Sequence, residues 1–194
     1  MPADWIIVSL LFTGVIGYHA AFWFRAKACF RRYAQLNGGQ LGKAKGRLVL
    51  ALEKPEGSEF RYYSTKRAFV TTYYQRLPES LKDFEIILRV RNPVKIHTVN
   101  FSGLERVHNS GSAAFQRKYQ VYCNDKDRAE RLVTTLLEEA FMHPPRGLGG
   151  DFDLQLYAGE FRFLWKKCPS SNQELDELLK LGQKVLSQLV NIAH

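Results

Sequence analysis

WIIVSLLFTGVIGYHAAFWF, residues 5–24, is the stretch whose reading decides the fold. It carries no formal charge apart from what His19 can acquire, and no polar face. A helix of this length, at about 1.5 Å per residue, measures about 30 Å, the thickness of a bilayer's hydrocarbon. The stretch therefore predicts one transmembrane helix. A cleaved signal peptide would have basic residues before the apolar run and a small-x-small site after it. Here Asp4 precedes and Phe22-Trp23-Phe24-Arg25 follows, so the helix is expected to be retained. Trp5 and Trp23 suit the aromatic belts at the two membrane interfaces.

Two features lie within this helix. Ser9, Thr13, Gly17 and Ala21 recur every four residues. Small side chains at that spacing let a second helix approach closely, and they mark a candidate packing face. His19 is the one ionisable side chain of the stretch. It reads either as an axial ligand to a tetrapyrrole pigment or haem, or as an interfacial histidine near the basic residues that follow.

Outward from the helix the charge changes abruptly. The chain of 194 residues has a net charge of +9. Arg25, Lys27, Arg31, Arg32, Lys43, Lys45 and Arg47 fall in a segment without a single acid, and the remainder from residue 48 is only +3. This distribution points to anionic phospholipid rather than nucleic acid, with Arg25, Lys27, Arg31 and Arg32 as headgroup contacts worth about 1 kcal/mol each. The same residues orient the helix with its N-terminus outside and the body cytoplasmic. Arg25–Leu36 keeps helical spacing, and Asn37-Gly38-Gly39 stops it. NGGQLGKAKG, residues 37–46, is one residue short of a phosphate loop and has Ala44 where a magnesium-binding hydroxyl would stand, so it reads as a linker. The resulting division is a transmembrane anchor at 1–24, a basic helical neck and Gly-rich linker at 25–46, and a soluble α+β domain at 47–194.

In the body, Arg47–Leu52, Phe60–Tyr63, Ala68–Tyr74, Phe84–Val90, Lys95–Phe101 and Phe115–Tyr122 carry strand patterns, with a turn at Arg91-Asn92-Pro93. Asp125 caps a helix whose stripe is Ala129, Leu132, Val133, Leu136, Leu137, Ala140 and Phe141. Phe152–Tyr157 and Glu160–Trp165 form a hairpin turning at Ala158-Gly159. Ser171-x-x-Glu174 is a capping box opening a last helix, in which Gly182 costs about 1 kcal/mol against Ala. The expected fold is α+β: the membrane helix, then an antiparallel β-meander with two helices, reminiscent of pleckstrin-homology-like domains.

FQRKYQVYCNDKDRAERLVTTLLEEAF, residues 115–141, followed by DLQLYAGEFRFLW, carries a resemblance. Phe115, Tyr119, Val121, Tyr122, Asp125, Ala129, Arg131, Leu132 and Thr134 match its pattern, and Phe101-Ser102-Gly103-Leu104 matches a short upstream element. Over residues 101–165 the chain resembles a family of bacterial membrane-anchored proteins known as domain of unknown function thirty-one thirty-seven. The resemblance implies a bacterial inner-membrane location and an α+β body. It implies no reaction.

Signals for catalysis are sparse. Cys29, Cys123 and Cys168 form no C-x-x-C pair, which favours reduced thiols. His97, His108 and His143 are scattered without metal-ligand spacing. Ser102-Gly103 and Ser110-Gly111 lack a nucleophile elbow. Cys123 near Asp125 reads as a small buried residue, and Asp125, Asp127, Asp151 and Asp153 as caps and solvated edges. The expected function is a non-catalytic, single-pass accessory or scaffold subunit docking to integral membrane proteins in a larger complex. The alternatives are a lipid-headgroup-sensing module and a pigment- or haem-contacting subunit working through His19. No metal or resident cofactor is expected otherwise.

Overall fold

Strand patterns alternating in sequence become one continuous apolar face in space. A computed structural model describes residues 3–65, 68–91, 103–108, 110–133 and 137–193, with backbone alone at 3–7, 9–12 and 192–193. Its strands are β1 (Gln40–Ala44), β2 (Arg47–Ala51), β3 (Ser58–Ser64), β4 (Phe69–Arg76), β5 (Ile86–Val90), β6 (Glu105–Val107), β7 (Tyr119–Cys123), β8 (Phe152–Tyr157) and β9 (Glu160–Trp165). They form one antiparallel sheet in the order β1-β2-β3-β4-β9-β8-β5-β7-β6. The first four strands are a meander. The late hairpin β8–β9 then slots between β4 and β5.

The register aligns Leu50, Phe60, Tyr73, Phe163, Leu154, Leu88, Val121 and Val107 in a single row, one residue per strand. All eight are buried. Each large apolar member contributes on the order of 1.5–3 kcal/mol when fully removed from water. The cover comes from helices α1 (Ala3–Asn37), α2 (Ala113–Lys118), α3 (Lys126–Leu132), α4 (Glu138–Met142) and α5 (Asn172–Ala193). α5 buries Leu175, Leu178, Leu181, Val185, Leu186 and Leu189, and α1 buries Ala26, Cys29, Phe30 and Tyr33. The Tyr33 hydroxyl donates to Asp176 at 2.9 Å and ties the two helices together.

Several elements form as their residues predict. Ala158 (φ 51°) and Gly159 (φ 73°) make the two-residue turn of the β8–β9 hairpin. At the start of α5, the Glu174 amide donates to Ser171 Oγ at 3.2 Å and the Ser171 amide donates back to Glu174 Oε2 at 3.2 Å. Ser170 and Lys167 also donate to this carboxylate. Asp125 caps α3 by accepting from the Arg128 amide at 3.0 Å.

The transmembrane reading is corrected. Among the described residues no helix is long and apolar enough to cross a membrane. The stretch 5–24 is instead the first part of a 35-residue helix that runs unbroken to Asn37. Its later apolar residues serve the body. Phe22 stacks on Phe69 with ring centroids 4.3 Å apart, and Trp23 meets Tyr62 at 6.0 Å. From Ala26 onward the same helix is core. The single-pass membrane architecture is therefore not retained, and the basic residues after Phe24 have no span to orient. The pleckstrin-homology-like comparison also departs from the observed sheet, which among the described strands is open, with β1 and β6 as its edges.

Smaller differences have local causes. The stretch 40–44, read as linker, pairs with β2 as an edge strand. Ser112 accepts from the Phe115 amide at 3.2 Å, so residues 113–118 coil into α2 before β7 begins at Tyr119. The helix expected from Asp125 to Phe141 is described as α3 and α4, with Val133 and Leu137 in helical conformation on either side of residues outside the description. The expected strand Lys95–Phe101, the Asn92-Pro93 turn and His97 also lie outside the described residues.

Gly182 changes meaning in this packing. A Cβ there would drive into the Tyr73 ring, closer than carbon atoms approach. Gly182→Ala is therefore expected to destabilise by about 1–3 kcal/mol through overpacking, against the ~1 kcal/mol gain that helix propensity alone forecasts. Urea denaturation decides the sign.

Glu174 supplies a pH test. Burial works to raise its pKa, but the Ser170 hydroxyl and amide and Lys167 prevail and hold it below the usual value. A depressed carboxyl contributes stability that is complete above its unfolded pKa of about 4.3 and is lost as pH falls through the folded value. Glu174→Gln should be about 0.5–2 kcal/mol less stable at pH 7. That gap should close below pH ~4; a constant gap from pH 7 to pH 3 would refute the assignment.

Candidate docking surface

A helix needs apolar contacts on one side and water on the other, and α1 satisfies this only over its second half. Among its described side chains before Ala26, those at 8, 13–18, 21, 24 and 25 are exposed. Val15, Ile16 and Tyr18 are each more than half exposed, and so is Val8. The side chains of Val8, Val15 and Ile16 carry no hydrogen-bonding atom, so their exposure leaves apolar area in water that contact with another apolar surface would remove.

The four candidate packing residues fall on this projecting part. Thr13, Gly17 and Ala21 are exposed, and the Ser9 side chain is outside the description. A Cβ at Gly14 or Gly17 would meet nothing within 4 Å. The small-residue stripe is thus open, and within the described residues nothing of this chain closes over Gly17.

Contact with the sheet is made by Tyr18 and His19. His19 Nδ1 lies 2.6 Å from Ser64 Oγ, and its ring packs 5.5 Å from Phe69. Tyr18 lies 5.5 Å from the same ring. One imidazole nitrogen of the proposed tetrapyrrole ligand is therefore engaged with β3, and the aromatic surroundings account for the residue as the latch between α1 and the β3–β4 turn. Phe69 is the centre of this latch. Sequence reading placed it only as a strand residue, because nothing in a local pattern marks a ring that three helix side chains will share.

The basic residues separate by exposure. Arg25, Arg31 and Arg32 are exposed and Lys27 is half-buried. α1 packs on β1 and β2. This places Lys43 Nζ 5.4 Å above the Trp23 ring and brings the two ends of the acid-free segment to one side of the molecule. Among the described residues no carboxylate forms an ion pair with Arg25, Lys27, Arg31, Arg32, Lys43, Lys45 or Arg47.

Several residues weighed for catalysis have structural partners among the described residues. All three cysteines are buried thiols. Burial pushes Cys123 up to about 11, and it lies beside an open depression lined by Gly103, Glu105, Asn124, Asp125 and Lys126. There Asp125 caps α3 and Lys126 pairs with Glu105. Burial likewise pushes Cys29 up to about 11. These thiols are protonated at neutral pH, the opposite of an activated nucleophile. Asp153, read as an edge residue, is buried; it accepts from the Val90 amide and from Lys166, both at 3.0 Å. Among the described residues no three His, Cys, Asp or Glu side chains gather at metal-binding distance.

No protein-family model matches the chain, and no curated protein sequence matches it either.

Proposed function

We propose that the chain is a non-catalytic accessory module that docks to integral membrane proteins, seating the projecting end of α1 against their apolar surface. The observation that carries this reading is the asymmetry of α1. Its Ala26–Tyr33 side is fully used as core, whereas its described side chains from Thr13 to Tyr18 are all exposed. A rigid helix extended from a folded body presents apolar area without paying ordering entropy on contact. The basic residues that follow, Arg25, Lys27, Arg31 and Arg32, stand where anionic phospholipid headgroups around such a partner would meet them. This location is a proposal that rests on the helix and its charges together.

A second reading is direct headgroup recognition, favoured by the cluster of basic side chains without ion-pair partners among the described residues. Protein-free vesicles of phosphatidylglycerol separate the two. The accessory reading expects weak, salt-sensitive binding to such vesicles; retention at high salt would favour the lipid module.

The test of the leading reading is Ile16→Asp. Ile16 is exposed, so the fold should keep its thermal midpoint. The wild-type chain should co-purify in mild detergent with an integral membrane protein, and Ile16→Asp should lose at least most of that association. Undiminished co-purification of a folded Ile16→Asp protein would end the proposal.

A further inference from the structure

Among the described strands β1 is an edge of the sheet and pairs with β2 alone. The turn between them is Lys45-Gly46, with φ of 49° and 74°. Such a two-residue turn makes Ala44 and Arg47 the hydrogen-bonded closing pair. Antiparallel pairs alternate along a ladder, so the next hydrogen-bonded pairs are Gly42 with Val49 and Gln40 with Ala51. Leu41 and Lys43 sit at the alternate positions. Their backbone N–H and C=O groups point away from β2, toward a side where no described strand lies.

The flank of this edge has a definite charge. Lys43 reaches over Trp23 of α1, and Lys27 lies one turn further along that helix. Lys45 and Arg47 are exposed at the adjoining turn. A second copy of this chain is a poor occupant, because antiparallel pairing of two β1 strands in full overlap would set Lys43 opposite Leu41 and the two Lys43 side chains diagonal to each other, like charges at neighbouring positions. An extended segment bearing carboxylates meets the opposite situation: backbone bonds from Leu41 and Lys43, and complementary charge from α1 and the turn.

We infer that β1 is a strand-addition site for an extended acidic segment of a partner protein. Main-chain bonds to Leu41 and Lys43 supply the pairing, and the lysines select an acidic over a basic chain. This surface shares Lys27 with the basic residues of the proposed function but lies apart from the projecting end of α1, and its pairing through Leu41 and Lys43 does not depend on that reading.

The experiment uses the full chain and a labelled synthetic peptide of about eight residues alternating valine and glutamate, with a valine–lysine peptide as control. Fluorescence anisotropy measures binding, and amide hydrogen exchange locates it. The valine–glutamate peptide should bind and slow exchange at Leu41 and Lys43, and the valine–lysine peptide should not bind. Lys43→Glu should weaken binding by roughly tenfold or more. Lys43→Pro removes an outward N–H and no bond to β2, so it should abolish binding while the thermal midpoint is kept. Should Lys43→Pro unfold the chain, Lys43→Glu and the exchange pattern carry the decision. The inference is overturned if the acidic peptide fails to bind, if protection appears elsewhere than β1, or if folded Lys43→Pro binds as wild type.

Discussion

A row of eight apolar side chains, one from each strand from β2 to β6, has to be kept from water, and the architecture follows from that requirement. A single sheet of this width cannot bury its own face. Helices must cover it, and they must sit close. Tyr73 shows how close: its ring lies where a Cβ at Gly182 would be, so α5 descends onto β4 only because that helix position has no side chain. α1 covers the other end of the row and is tied to α5 through Tyr33 and Asp176. Helix and sheet here hold each other in place, and neither long helix has a second apolar face to spare within the body.

Much of the body was legible because its signals are local. The β8–β9 hairpin is dictated by alternation on both sides of Ala158-Gly159. The start of α5 is dictated by Ser171 and Glu174. Asp125 announces α3. What could not be read locally was decided by tertiary contact. Residues 5–24 read as a membrane span from their length and lack of formal charge, yet composition cannot say that Phe22 will stack on Phe69 or that the helix will continue into the core through Phe30. Gln40–Ala44 has the Gly- and Lys-rich composition of a linker. It becomes a strand because β2 and a two-residue turn offer it a ladder. Gly182 has the opposite lesson: a residue that looks like a local weakness is a requirement of packing.

The candidate surface divides in the same way. The small-residue stripe and the basic residues were visible as spacing and charge, and the described members of both are largely exposed. His19 was visible as an anomaly, but its partner Ser64 is far along the chain and could not be found from spacing. The union of the two ends of the acid-free segment was equally hidden. It exists because β1 returns alongside α1 and sets Lys43 over Trp23.

The placement of the β8–β9 hairpin has a consequence for how the chain comes into being. During synthesis the β1–β4 meander is available early, since each strand pairs with its neighbour in sequence. β4 and β5, however, are not partners; the hairpin between them is made only after α4. Until the ribosome has delivered it, Tyr73 waits for Phe163 and Leu88 for Leu154, and two raw strand margins face the cell. Such non-local pairing slows closure and leaves intermediates prone to aggregation. The last step in completing the sheet is thus an insertion between two strands already made rather than an extension at its edge.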